Sequence, residues 1–431
     1  MLLIYVPRIT NRLKYIFEFI FVEVLHQEFI FTTSMEEYVT FDGAKINYSK
    51  NSSGIGVYFE STSLLFEKGI ESIELEFNVF EELPIFFLVH NKDSSLPFDP
   101  FAASFYLISR YEEYMPYVRD GFGRFQAESS ISYKKNFLQY PVVDIWIKKI
   151  AKILQLSYPE LKFPKSSFSF IPTIDINCAY KYKYKGIVRS IGGMFRNIGR
   201  FDFMELIKQF RVLFRMEKDP FDTYEEQIKV HRENNIQTLY FILFANYASN
   251  DKNISVNNRK FQVLIKSIAD YCHVGIHSSF ASAFFSDKLL FEIQRFGKIL
   301  NREIFKCRQH FLYLNMPLVY RNFLNCDIYE DYSMGYVNTP GFRAGTSRAF
   351  YFFDLDYDRT TKLKVFPFSF TDSALRNGFS QNTYRDILQR TRDVGGSMIL
   401  LWNNEVFCED FYGKKGITVY EDLIKLSLKM E

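Results

Sequence analysis

The 431-residue chain has no run of about 18 uninterrupted apolar residues, so it offers no candidate membrane span. It has no long basic block either. The net charge is only +3, which gives no general case for a nucleic-acid partner. The nearest approach to a basic block, KYKYKGIVR at 181–189, reads as solvated surface or as a local contact to an anionic substrate. There is no CxxC pair. The five cysteines, Cys178, Cys272, Cys307, Cys326 and Cys408, are odd in number and widely spaced, which argues against a zinc ribbon or a disulfide framework and for free thiols in a reducing compartment. The opening MLLIYVPRITNRLKYIFEFIFVEVL is interrupted by Pro7, Arg8, Arg12, Lys14, Glu18 and Glu23. It lacks the basic lead and small-residue cleavage site of a secretory signal, and the expected location is the cytoplasm. Internal repeats and low-complexity tracts are absent too.

What the chain does have is the balance of a folded protein: 47% hydrophobic and 24% charged residues, with 48 Phe and 29 Tyr. The aromatic excess reads either as compositional drift or as a supply of sugar-stacking rings. The length suits two or three domains, and the texture changes once. Residues 1–160 mix LLIYV, helical periodicity through 10–26, the strand-like ESIELEFNVF and PIFFLVH, and a helix FAASFYLISRYEEYM (101–115). In that helix Phe101, Phe105, Ile108 and Tyr111 recur on one face. These residues are expected to form a smaller α/β domain. FPKSS (163–167) is the expected junction.

From 165 to 431 strand and helix alternate. FSFIPTIDIN, TLYFILFA (238–245), HVGIH (273–277), EIFKCRQHF (303–311), KLKVFPFSFT (362–371) and SMILLW (397–402) read as strands. Helices are expected near 201–215, 221–234, 260–272, 286–300, 317–326, 381–393 and 417–429. Such alternation implies parallel strands joined by right-handed crossovers, in a barrel or a doubly wound sheet. Functional groups in both architectures gather at the C-terminal ends of strands.

That rule picks out a set of residues. Thr173, Asp175 and Asn177 alternate with Ile174 and Ile176, so they share one face of the first strand. His277 ends HVGIH, Arg308 and His310 share a face at the end of EIFKCRQH, Asp331 lies in EDYSMGY, and Asn403 and Asn404 end SMILLW. Imidazoles and carboxylates converging at strand ends suit zinc or another first-row divalent ion, although a single strand-end histidine more often bonds to backbone. His273, at the start of its strand, reads as structural, and His26, His90 and His231 have no polar companions.

The order TIDIN, VGIHSSF, RQHFL, DYSMGY, GFRAGT, LLWNNE resembles the polysaccharide deacetylase superfamily (NodB homology, carbohydrate esterase 4-like). FAASFYLISRYEEYM and GFGRFQAESS (121–130) are similar to the hallmark of its bacterial subgroup with an added N-terminal α/β domain. The resemblance implies a distorted (β/α) barrel of about seven strands over 165–431, with 1–160 as the accessory domain. It also implies metal-dependent removal of N- or O-acetyl groups from an acetylated oligo- or polysaccharide. Carried over, Asp175 matches the general base, Arg308 the arginine that orients it, and His277 the first metal-binding histidine. Ala281 stands where its partner four residues on would be. His310 replaces a proline. Asp331 and Gly335 resemble the fourth motif. Asn177 stands in place of a metal-binding aspartate, and Asn403 in place of the histidine that protonates the leaving group.

The implied metal ligands are thus Asn177, His277 and His310, with zinc ahead of other divalent ions. An amide for a carboxylate removes a full charge from around the cation, and losing the terminal acid costs roughly 10²–10⁴-fold in rate. Two readings stay open: a carbohydrate deacetylase-like hydrolase with weak or lost activity, and a non-catalytic glycan-binding or scaffolding homologue. Oligomeric state, glycan and linkage are not written in the sequence. Arg110, Glu112 and Glu113 stand out only by charge density.

Overall fold

The computed structural model describes residues 1–411 and 413–429. Its architecture is mixed α/β, built on two parallel sheets. The smaller is made of β1 (Leu2–Tyr5), β2 (Phe29–Thr32), β3 (Lys45–Ser49) and β4 (Val57–Glu60) in the order β2-β1-β3-β4, all parallel. The crossover from β1 to β2 is the helix Asn11–Phe17, which runs on as a π-helix over Glu18–Val24. Thr10 starts it by accepting from the Leu13 N–H, as an N-cap threonine does.

The larger sheet has nine strands: β5 (Ser169–Ile176), β6 (Leu239–Leu243), β7 (His273–Ser278), β8 (Lys306–Gln309), β9 (Glu330–Asp331), β10 (Phe350–Asp354), β11 (Arg359–Val365), β12 (Phe370–Thr371) and β13 (Ser397–Asn403). Their order is β10-β11-β9-β8-β7-β6-β5-β13-β12. Every neighbouring pair is parallel except β10 with β11. The ladder is not a closed ring among the described residues, yet one stretch of chain reaches across the gap. Phe366 N–H bonds to the Asp331 carbonyl, Phe368 N–H to Met334 and Ser369 N–H to Ile399. The sheet therefore curls, with a concave face.

Alternation along each strand sorts the side chains. Ile174, Ile176, Tyr240, Ile242 and Ile276 go outward into the main core beneath the helices. Leu239, Phe241, Tyr332, Phe368, Ile399 and Leu401 fill the concave side with a second apolar cluster. Gly275 faces that cluster from β7, and a Cβ there would stand 2.6 Å from the Phe241 ring and 3.0 Å from the Lys306 carbonyl. Glycine is what lets Phe241 lie across the neighbouring strand.

Several expected elements are shorter than the sequence suggested. The helix expected over 101–115 ends at Ile108, because Arg110 takes a left-handed conformation (φ 55°) and a separate 3₁₀ turn follows over Tyr111–Tyr114. Side-chain contacts override the apolar periodicity here: Arg110 is pinned locally by Glu112 and Glu113 and across the chain by the Arg343 carbonyl. ESIELEFNVF contributes only Phe77–Phe80, paired in a hairpin with Leu83–Phe86. EIFKCRQHF contributes only Lys306–Gln309. The sequence reading missed the helix Ile187–Gly199 and the β10–β11 hairpin.

Candidate functional site

Register brings the first group together. Asp175 on β5 stands beside Asn403 on β13 and Phe241 on β6, and on the far side of β6 His277 stands beside Arg308. All lie at the C-terminal edge of the sheet. Arg308 Nη1 donates to Asp175 Oδ1 at 2.6 Å and to Thr173 Oγ1 at 2.9 Å, and its Nε donates to the Tyr332 carbonyl at 2.8 Å. The guanidinium lies over the Phe241 ring at 4.5 Å. Arg308 Nη2 is buried without a hydrogen-bond partner. Burial pushes the Asp175 carboxyl above the ordinary aspartate value, and Arg308 opposes the shift.

His277 is buried, and neither ring nitrogen has a hydrogen-bond partner. Its Nδ1 lies 3.6 Å from Asp175 Oδ2. Burial first, then the neighbouring His310 and Arg308, hold its pKa well below the usual histidine value, so the ring is neutral. The His277 and His310 rings meet edge to face with centroids 4.9 Å apart. His310 in turn shares its Nδ1 with Asp251 Oδ1 at 2.8 Å. Asp251 also accepts from the Phe280 N–H. Nothing in the sequence pattern marked Asp251, because it sits in a loop rather than at a strand end.

The two amides answer each other. Asn177 Nδ2 donates to Asn403 Oδ1 at 2.7 Å, and Asn403 Nδ2 donates to Asp372 Oδ1 at 2.7 Å. Asp372 was missed in the sequence, although it directly follows β12 and so obeys the same strand-end rule. Glu405, in LLWNNE, was missed as well. Its carboxylate accepts from the Cys178 N–H at 2.9 Å. Burial raises Asp372 to about 6 and Glu405 to about 7, and each also feels Asp175 as a like charge.

Two expected members lie apart from this group. Asp331 pairs in register with Cys307, not Arg308, which puts it on the opposite face. Its carboxylate accepts from Tyr320 Oη at 2.7 Å and from the Ser333 N–H at 3.0 Å. Gly335 leaves room for the Phe368 ring, which would stand 2.3 Å from a Cβ, and it offers no chemistry. Ala281 opens a 3₁₀ turn and supplies no ligand atom. His273 is exposed at the start of β7.

Among the described residues, no group of three or more His, Cys, Asp or Glu is arranged to hold a metal ion. What the site does offer a cation is two adjoining imidazoles, one with both nitrogens unbonded.

Beside His310, whose ring centroid lies 4.4 Å from that of Phe311, residues from both halves of the chain pack together. Arg124 of GFGRF donates to the Phe311 carbonyl at 2.8 Å, and the Phe122 ring stacks on Phe311 at 4.8 Å. Phe311 and Leu312 both have positive φ, 58° and 52°, a conformation that costs bulky residues energy and is held here by those contacts. Phe280, Phe284 and Tyr313 extend the aromatic border. Further back, Glu113 accepts from Arg110 at 2.7 Å and from Arg343 of GFRAGT at 2.9 and 2.6 Å. Arg110 and Glu113 are thus buried ties between the halves, and Glu112 holds Arg110 and the Ile131 N–H within the first half.

The raised carboxyls give a pH signature. An aspartate whose folded pKa is about 6 against about 4 unfolded binds its proton more tightly when folded, so it withdraws stability as pH rises through that interval. Replacing Asp372 by asparagine should remove a loss of about 2–3 kcal/mol between pH 4 and pH 7. Urea denaturation of variant and wild type at both pH values measures it as a difference. The difference is needed because His277 and His231, held neutral by burial, tilt the whole-protein slope the other way. A parallel pair of pH profiles would show that Asp372 titrates normally.

Residues 2–159 match a family described as a family of unknown function, DUF7033. No curated protein matches the chain. Among the solved structures to which it is similar are the following three. One is described as a candidate polysaccharide deacetylase from Mycobacterium smegmatis, at 12% identity and TM-score 0.38, covering 63% of this chain and 87% of that one. Another is a polysaccharide deacetylase from Bacillus cereus, at 10% identity and TM-score 0.29, covering 61% and 86%. The third is Puue allantoinase, at 9% identity and TM-score 0.38, covering 74% and 93%. What the site does must therefore be argued from its own residues.

Proposed function

We propose that the protein is a carbohydrate deacetylase-like hydrolase of low activity, acting on an acetylated glycan at the C-terminal edge of a barrel-like sheet, with residues 1–160 as an accessory domain. The observation that carries this reading is the buried Asp175–Arg308 pair beside a neutral, unbonded His277. Asp175 is an aspartate poised to take a proton from water, Arg308 orients it, and His277 offers a ring nitrogen to whatever enters. The aromatic border of Phe122, Phe311, Phe280 and Phe284 gives sugar faces something to stack on.

A divalent cation, zinc foremost, would be held by His277, His310 and the Asn177 carbonyl oxygen. When bound, it would polarise the acetyl carbonyl. The unbonded nitrogens of His277 fit that role. The lack of an anionic ligand, and the Arg308 charge nearby, make the binding weak. Calorimetry with zinc should show weak binding in the wild type and none in His277→Ala. Tight binding that survives the substitution would place the cation elsewhere.

One observation favours the second reading, a glycan-binding homologue without catalysis. Asn403 is tied between Asn177 and Asp372 and supplies no acid for a departing group. Acetate release from acetylated oligosaccharides, with and without chelator, separates the two: slow release abolished by Asp175→Asn supports the hydrolase. Oligosaccharide binding with no acetate released supports the binding module.

A further inference from the structure

Between β5 and the helix Tyr224–Glu233 the chain makes a helical hairpin, Ile187–Gly199 and Phe203–Leu213. It is built inside out. The seam between the helices is polar: Gln209, 4% exposed, donates to the Ser190 carbonyl at 3.0 Å and accepts from Asn197 Nδ2 at 3.2 Å. Most of the apolar residues face outward, while Val212 is fully buried. Val188, Ile191, Phe195 and Ile198 recur at spacings of three and four along the first helix, and Phe203, Ile207, Phe210 and Phe214 along the second. All eight are exposed, Val188 to 85%, Phe195 to 70% and Phe214 to 68%. Phe201 at the turn is 80% exposed and Met204 79%. A hairpin made for water alone would turn these stripes inward.

The same stretch is strongly basic. Residues 181–218 contain ten Lys and Arg against three Asp and Glu. Arg200, Lys208, Arg211 and Arg215 are exposed beside the apolar stripes. A second copy of this surface would bring like charge against like charge. Apolar side chains flanked by cations fit one phase best, the interface of a bilayer containing anionic lipid. No helix among the described residues is long and apolar enough to cross a membrane, so the hairpin would lie on it.

We propose that this hairpin is an interfacial docking element for anionic membranes. It is fixed firmly to the rest of the molecule. Asp219 accepts from the backbone N–H groups of Lys181, Tyr182 and Lys183 at 2.8–3.0 Å, and Arg189 donates to the Asn253 carbonyl at 2.9 Å. Asn253 itself accepts from the Ala179 N–H, two residues beyond Asn177. Docking would therefore hold the cleft edge of the sheet close to the lipid surface, whatever reaction or binding occurs there.

Co-sedimentation of the full chain with vesicles tests this. Vesicles of equal parts phosphatidylcholine and phosphatidylglycerol should retain the protein at least about tenfold better than phosphatidylcholine alone, and salt should weaken the retention. Phe195→Glu combined with Phe214→Glu, both at exposed positions that a folded chain tolerates, should lower it by about tenfold or more with an unchanged circular dichroism spectrum. Phe195→Trp should shift its fluorescence to the blue when anionic vesicles are added. Equal retention on both vesicle types, or retention untouched by the glutamates, would overturn the proposal. So would a dimer that forms without lipid and is lost in Phe195→Glu, which would assign the face to a second copy.

Discussion

Arg308→Ala should destabilise the protein by about 3–5 kcal/mol at neutral pH, because it leaves the Asp175 carboxylate buried without its counter-charge. Arg308 is fully buried and Asp175 nearly so, and the pair shares a 2.6 Å contact. The guanidinium also holds Thr173 Oγ1, the Tyr332 carbonyl and the Phe241 face. Its loss therefore strands two acceptors and opens a void against the inner apolar cluster. The sign of the pH response follows. Without Arg308, burial acts on Asp175 against only the smaller opposing effect of His310 and raises its pKa further, so the carboxyl takes up a proton on acidification and the deficit shrinks as pH falls. Urea denaturation at neutral and mildly acidic pH measures both effects. Arg308→Met with Asp175→Leu should recover part of the loss, since an apolar pair leaves no buried charge unmatched. A deficit below about 1 kcal/mol, independent of pH, would mean that solvent reaches the pair and screens it.

The groups that the sequence set at strand ends and that the structure brings together are those fixed by strand alternation. Asp175 and His277 close largely buried strands, Arg308 lies on the four-residue strand Lys306–Gln309, and the structure sets the three side by side. Asp331 shows where this reasoning stops. Its strand has only two residues, too few for alternation to show which of Glu330, Asp331 and Tyr332 turns inward. That is decided by register with β8, where Asp331 falls opposite Cys307. Asp372 was within reach, since FSFTD ends a strand, but KLKVFPFSFT contains two short strands separated by a bridging stretch and reads as one. Asp251 leaves no periodic trace, because a loop carries it to His310. The hairpin's first helix, Ile187–Gly199, was overlooked for a different reason: its apolar stripe mimics a core face, while its basic residues suggest plain surface.

Restoring both amide positions, Asn177→Asp with Asn403→His, should raise acetate release by about 10²–10⁴-fold over the wild type, and more than either change alone. The coupling follows from the contact between them. Asn177 now donates to Asn403 Oδ1 at 2.7 Å. A carboxylate at 177 alone would face that amide oxygen as acceptor against acceptor. Asn403 would have to turn over, presenting its oxygen to Asp372, which tolerates this only when protonated, below its pKa of about 6. Asn177→Asp alone should therefore cost stability at neutral pH while adding one negative charge for a cation. An imidazole at 403 resolves the conflict. It has a nitrogen for each neighbour, and Asp372 behind it would fix its orientation and favour its protonated form, giving the site the acid it lacks. Zinc calorimetry should show tighter binding in the double variant. Asp175→Asn in that background should abolish the gain in acetate release, because the carboxylate proposed to accept the water's proton is gone. A double variant that binds zinc tightly and releases no acetate would favour the binding-module reading. Unchanged zinc affinity together with unchanged acetate release would show that Asn177 and Asn403 do not hold the positions of ligand and acid.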